Sequence, residues 1–205
     1  MTARPKLAPE QQLTIEEFLA FTDTRPEGER WELIEGVAVL TPSPVDYHQV
    51  VVGNIVAFLL RIKSEKTAAW LPLIGTGTRV RASVNSLPQP DVMVKERPLT
   101  GSPVSDEALV LVEVLSKSNP KADLAWRRRV YSSVPNCQHY VTVSLKAAEV
   151  VAFDRATGWK ERPLTGLGSA LDLPALGVTM PLADIYRFTP LGENGREGAA
   201  PSPRP

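Results

Sequence analysis

The sequence predicts an α/β domain, and three consecutive stretches carry that prediction. "ALVLVEVLS" (108–116) is an almost uninterrupted apolar run of strand length, "PKADLAWRRRVYSS" follows with helical character, and "QHYVTVS" reads as a second strand. Strand, helix of roughly four turns and strand form a βαβ unit, which implies a parallel pair joined by a right-handed crossover. With 205 residues, 43% of them hydrophobic, the chain suits one such domain around one core.

The remaining elements follow in order. "LTIEEFLAF" opens with Thr14 before two glutamates, an N-cap with acidic first-turn residues, and predicts a short helix. "RWELIEGVAVLTP" holds two apolar runs around Glu35-Gly36, which predicts a hairpin or tight bend. "DYHQVVVGNIVAFLLRIKSE" starts with Asp46 and Gln49 in capping-box spacing, and His48, Val52, Ile55, Leu59 and Ile62 share one face of a helix of about four to five turns. "AWLPLI", "GTRVRAS" and "DVMVK" are candidate strands, with "SVNSLPQP" as a turn-rich loop before Asp91. Asn119-Pro120 caps the helix of the βαβ unit. "EVVAFDRATGWKERPL" predicts a hairpin, and the rest to "PLADIYRF" a loop with a short terminal helix. Residues 1–11 and 190–205 combine Pro, Gly and polar residues without apolar periodicity; they are expected to be flexible tails around a domain of residues 12–189.

Composition narrows the function classes. Lys plus Arg and Asp plus Glu number 23 each, so no global basic field exists to drive nonspecific nucleic-acid binding, and any such contact needs a local patch or dimerisation. Cys137 is the only cysteine, which excludes a disulfide framework and a cysteine-built zinc site and fits a reducing cytoplasm. A metal must then be held by oxygen or by the two histidines. No apolar run approaches the roughly 18 residues of a bilayer span, and "MTARPKLAPEQQ" lacks a signal-peptide core. A soluble cytoplasmic protein with no membrane partner is expected.

One residue interrupts the apolar run of residues 108–116: Glu113. A buried lone carboxylate costs several kcal/mol unless a metal, a cation or hydrogen bonds take up its charge. It sits near the C-terminal end of its strand, where open α/β sheets bind ligands. Asp91 opens "DVMVK", so the two carboxylates meet if these strands are neighbours. Two oxygen ligands with positions left for water and phosphate suit Mg²⁺ (or Mn²⁺). On the residues alone, Glu113 could instead face solvent or pair with Arg127, and Asp91 could be a turn residue after proline.

"RWELIEG", "TPSPVDYHQVVVGNIVAFL", "PDVMV", "LVEVLS" and "DLAWRRRVYSS", in this order, resemble the Uma-type putative restriction endonuclease family of the PD-(D/E)XK nuclease superfamily. The resemblance spans about residues 12–188. It implies a restriction-endonuclease-like core, a mixed β-sheet flanked by helices, and Mg-dependent hydrolysis of DNA phosphodiester bonds, with a homodimer as the fold-level analogy for duplex cleavage. Asp91 and Glu113 would be the metal-binding carboxylates and Val114 a backbone-carbonyl ligand. Glu32 and His48 would stand behind them. The family's lysine, four residues after an aspartate on the following helix, corresponds here to Arg127 after Asp123. Arginine is planar and never a general base at ordinary pH, so the alternative is a catalytically impaired nuclease-fold protein that binds nucleic acid or a protein partner. An i,i+4 ion pair explains Asp123 and Arg127 without catalysis, and His48 could simply pack on the core. Lys117, Lys121 and Arg128 are candidate nucleic-acid contacts.

Overall fold

The computed structural model describes residues 12–66, 69–115 and 121–192, without the side chains of residues 64–66 and 121. Helix α1 (Ile15–Thr22) has the Thr14 N-cap expected, completed into a capping box: Thr14 N–H donates to Glu17 at 2.8 Å, and Glu17 N–H donates back to the Thr14 hydroxyl at 3.2 Å. Strands β1 (Arg30–Ile34) and β2 (Val37–Thr41) form an antiparallel hairpin. Its two-residue turn, Glu35-Gly36, has φ of 49° and 81°, the double left-handed conformation that tight hairpins require. Helix α2 (Asp46–Lys66) has 21 residues, longer than the four to five turns expected, and Asp46 accepts from the adjacent Tyr47 N–H.

Strands β3 (Trp70–Ile74), β5 (Val92–Glu96), β7 (Val110–Leu115), β8 (His139–Ser144), β9 (Glu149–Asp154) and β10 (Glu161–Thr165) build one six-stranded sheet in the order β10-β9-β8-β7-β5-β3. Within this sheet only β7 and β8 pair in parallel, and α3 (Lys121–Tyr131) connects them, so the expected βαβ unit forms the centre of a mixed sheet. The two outer strands each carry a proline, Pro72 and Pro163, which removes a ladder donor and blunts the edge against further pairing.

Side-chain alternation divides the core between the two faces of this sheet. Val110, Val112 and Val114 of β7 pack with Val51, Ile55 and Leu59 of α2, while Leu111 packs with Met93, Tyr140 and, from α3, Val130 and Tyr131. Each fully buried side chain of this kind contributes about 1.5–3 kcal/mol. A smaller apolar cluster of Ile15, Phe18, Leu33 and Leu87 seats α1 and the β1–β2 hairpin.

Two expectations need correction. "GTRVRAS" supplies only the two-residue strand β4 (Gly77–Thr78), which pairs with β6 (Val104–Ser105); beyond the Arg79 N–H, which still bonds to the Ser105 carbonyl, the chain leaves this ladder and Ala82 N–H donates to the Ser133 hydroxyl at 2.9 Å instead. The segment read as loop before the terminal helix contains an antiparallel hairpin, β11 (Ala170–Leu173) and β12 (Val178–Pro181), ahead of α4 (Leu182–Ile185). Its alternating Leu171, Leu173, Val178 and Met180 complete the α2 side of the core. Leu191, placed by sequence in the C-terminal tail, also packs there; residues 193–205 of that tail, the N-terminal tail and the Asn119-Pro120 cap lie outside the described residues. Among the described residues, no helix is long and apolar enough to cross a membrane.

Candidate active site

The sheet brings Asp91 and Glu113 together. β5 runs antiparallel to β7 with Val92 opposite Val112, so Asp91, one step earlier, sits beside Glu113, one step later. The Val114 N–H donates to Asp91 Oδ2 at 2.8 Å and fixes that carboxylate against the strand end. Around the pair converge Glu32 from β1, His48 from α2, and Asp123 and Arg127 from α3, each at most 9% exposed.

Asp91 is an ionised, well-supported carboxylate. Arg30 Nη1 lies 3.1 Å from its Oδ1 and His48 Nε2 lies 3.2 Å from its Oδ2. Burial pushes its carboxyl up, but the His48 bond and the charges of His48 and Arg30, with the Val114 N–H, outweigh that and hold it below the ordinary range. His48 is therefore a direct partner of Asp91. Its Nδ1 is buried with no hydrogen-bond partner among the described residues.

Glu113 lives in a different field. Its Oε1 accepts from Arg127 Nη1 and from the Tyr131 hydroxyl, both at 2.7 Å. Burial, then Asp91 and Glu32 against the opposing pull of Arg127, push its carboxyl up to about 8. Arg127 also donates to Glu32 through both terminal nitrogens, at 3.1 and 2.7 Å, and to Asp123 through Nε at 3.2 Å. These charge-assisted bonds raise its already high basicity well above the ordinary value despite burial. The i,i+4 pair with Asp123 expected from sequence is thus present, and so is the pairing with Glu113, inside one larger cluster.

Two residues of this cluster escaped the sequence reading. Arg30 shares the strand face of Glu32, two positions away, and also ties β1 to Gln89 by bonds of 3.3 and 2.6 Å. Tyr131 lies one helical step beyond Arg127, on the face of Asp123 and Arg127. Alternation along β1 and the i+4 spacing along α3 were the available signals. Glu32 also receives the Gln89 N–H at 2.7 Å, so it joins the hairpin, the segment before β5 and α3.

The site offers carboxyl oxygens, the donor type that Mg²⁺ prefers. Four carboxyl groups, those of Glu32, Asp91, Glu113 and Asp123, face two guanidinium groups and one imidazole; burial raises the Glu113 carboxyl most, and the neighbouring Asp91 and Glu32 add to it. Among the described residues no group of three or more His, Cys, Asp or Glu side chains is arranged to hold a metal ion. Mg²⁺ does not need one, since it keeps several waters and binds through one or two carboxylates. A cleft of about 680 Å³ reaches Asp91, Arg30 and His48 and is rimmed by Leu40, Pro42 and Ile74.

The candidate nucleic-acid contacts are less connected. Arg128 is half-exposed, 3.1 Å from Glu161 and stacked over Phe153. Lys117 and the side chain of Lys121 lie outside the described residues. Cys137 is buried and its thiol pushed up to about 12 by burial, which leaves no thiolate for catalysis.

A family model described as "Putative restriction endonuclease", Uma2, matches residues 15–183. No curated protein matches. A crystal structure of a putative nuclease belonging to DUF820 from Anabaena variabilis ATCC 29413 has the same fold, with a TM-score of 0.69 at 14% identity over 85% of this chain and 97% of that one.

Proposed function

Since the chain belongs to the Uma2 family of putative restriction endonucleases, we propose that it is a Mg²⁺- or Mn²⁺-dependent endonuclease hydrolysing DNA phosphodiester bonds. The observation that supports this most is the pair of buried carboxyl groups, Asp91 and Glu113, at adjoining strand ends, with Asp91 lining an open cleft. Their oxygens, with the Val114 carbonyl, would hold the ion. When bound, such an ion stabilises the charge that builds on phosphorus and makes a water nucleophilic at neutral pH.

The chain's own groups divide the other tasks. Asp91 is kept ionised by Arg30 and His48, so it is ready to bind a cation without losing a proton. Arg30, 29% exposed at the cleft, is placed to meet a phosphate oxygen. His48 orients Asp91 through Nε2. Arg127 and Tyr131 orient Glu113, and Asp123 and Glu32 orient Arg127. Arg127 does not act as a proton acceptor, because a guanidinium remains charged at every working pH.

Cleavage of supercoiled and of single-stranded DNA, with Mg²⁺ or Mn²⁺ and with chelator, tests the proposal. Asp91→Asn and Glu113→Gln are expected to abolish metal-dependent cleavage while the circular dichroism spectrum stays native; undiminished activity in either variant would remove the site assignment. A second reading rests on Arg127 standing at the family's lysine: a nuclease fold that binds nucleic acid or a protein partner without cutting. DNA binding without cleavage in any metal would favour it. Light scattering tests the homodimer that symmetric duplex cleavage implies.

A further inference from the structure

We infer that Arg127 is a built-in rival of the divalent cation: its guanidinium holds one oxygen of the Glu113 carboxyl group and keeps the metal affinity of the free protein low. The inference rests on the metal reading above and deepens it.

Three observations carry it. One of the two oxygens Glu113 could offer a cation, Oε1, already accepts from Arg127 Nη1 and the Tyr131 hydroxyl, both at 2.7 Å. Arg127 is gripped from two other directions, by Asp123 one turn earlier on α3 and by both oxygens of Glu32 on β1. Turning away from Glu113 therefore breaks the fork-shaped pair with Glu32, which a lysine, a single compact charge on a flexible stem, could not form. Finally, the guanidinium is almost fully buried, where its positive charge acts on a neighbouring dication with little solvent screening.

A merely structural role predicts the opposite effect. If Arg127 only braced Glu113 and Glu32, removing it would loosen both carboxylates and weaken cation binding. If it competes, removing it uncovers them.

The test is calorimetric titration of Mn²⁺, with thermal melts in chelator and in saturating Mn²⁺, on wild type, Arg127→Met, Arg127→Lys and the Asp91→Asn, Glu113→Gln double variant. Arg127→Met is expected to bind Mn²⁺ at least about tenfold more tightly than wild type and to gain more in Tm from it. Arg127→Lys should fall between them, and the double variant should not bind. Equal or weaker binding in Arg127→Met, with wild-type binding that still needs Asp91 and Glu113, would overturn the competition and leave the metal reading standing. No binding in wild type or in either arginine variant would overturn both. Should Arg127→Met fail to fold without metal, Arg127→Lys decides alone: an affinity no higher than wild type overturns the inference.

Discussion

Replacing Glu113 with glutamine is expected to flatten the dependence of stability on pH between about 4.5 and about 8. Burial first, then Asp91 and Glu32, against the opposing pull of Arg127 and Tyr131, move its carboxyl from 4.5 to about 8. The unfolded chain releases that proton near 4.5, whereas the folded chain keeps it. Through this window the folded state binds more protons, so the contribution to stability is complete below 4.5 and is lost as pH rises through about 8. A displacement of this size corresponds to at most about 5 kcal/mol, comparable with the whole net stability of a small domain. Glutamine keeps the shape and an oxygen that accepts from Arg127 and Tyr131, but it cannot ionise. Urea unfolding followed by circular dichroism, in chelator at about pH 5 and about pH 8.5, is the assay. Wild type should lose a few kcal/mol between the two conditions and Glu113→Gln much less. Parallel losses would refute the reasoning and mean that Glu113 is already ionised in the folded protein.

Tyr131→Phe removes the hydroxyl that donates to Glu113 and accepts from Arg127, and should cost about 1–3 kcal/mol in urea unfolding; a change below the error of the fit would show that the hydroxyl does not support the cluster. Gly36→Ala should cost about 1–3 kcal/mol, because φ is 81° and the added methyl group meets Gln12. An unchanged Tm would mean the turn relaxes freely. Asp154→Asn should weaken its links to His139 (2.7 Å) and Arg162 (3.0 Å), and with them a contribution to stability present above the ordinary carboxylate range and lost as pH falls through the lowered value of Asp154. Acid unfolding of the variant should therefore be shallower than that of wild type, and coincident acid transitions would contradict it.

The central architecture was legible because its signals are local. The apolar run around Glu113, the helix of Asp123 and Arg127 and the strand beginning at His139 each declare their type, and a parallel pair needs such a crossover. The N-cap at Thr14 and the Glu35-Gly36 turn are likewise written in neighbouring residues. The β11–β12 hairpin was missed because its strands have four residues each and are separated by Pro174 and Gly177, which read as loop. In the candidate site, Asp91 beside Glu113 follows once β5 and β7 are neighbours. What sequence could not give was the convergence on Arg127. Glu32 reaches it from the hairpin, and that docking depends on Leu33 and Leu87 packing with α1, a tertiary event with no local signature. The same docking brings in Arg30, whose only advance sign was its alternation with Glu32.

The most direct test of the account is calorimetric titration of Mg²⁺ and Mn²⁺ into wild type and into the Asp91→Asn, Glu113→Gln double variant. Saturable binding in wild type that disappears in the folded double variant is the predicted result and would put a divalent cation on these two carboxylates. Binding of the same strength in both proteins would contradict the account, because the cation would then sit elsewhere.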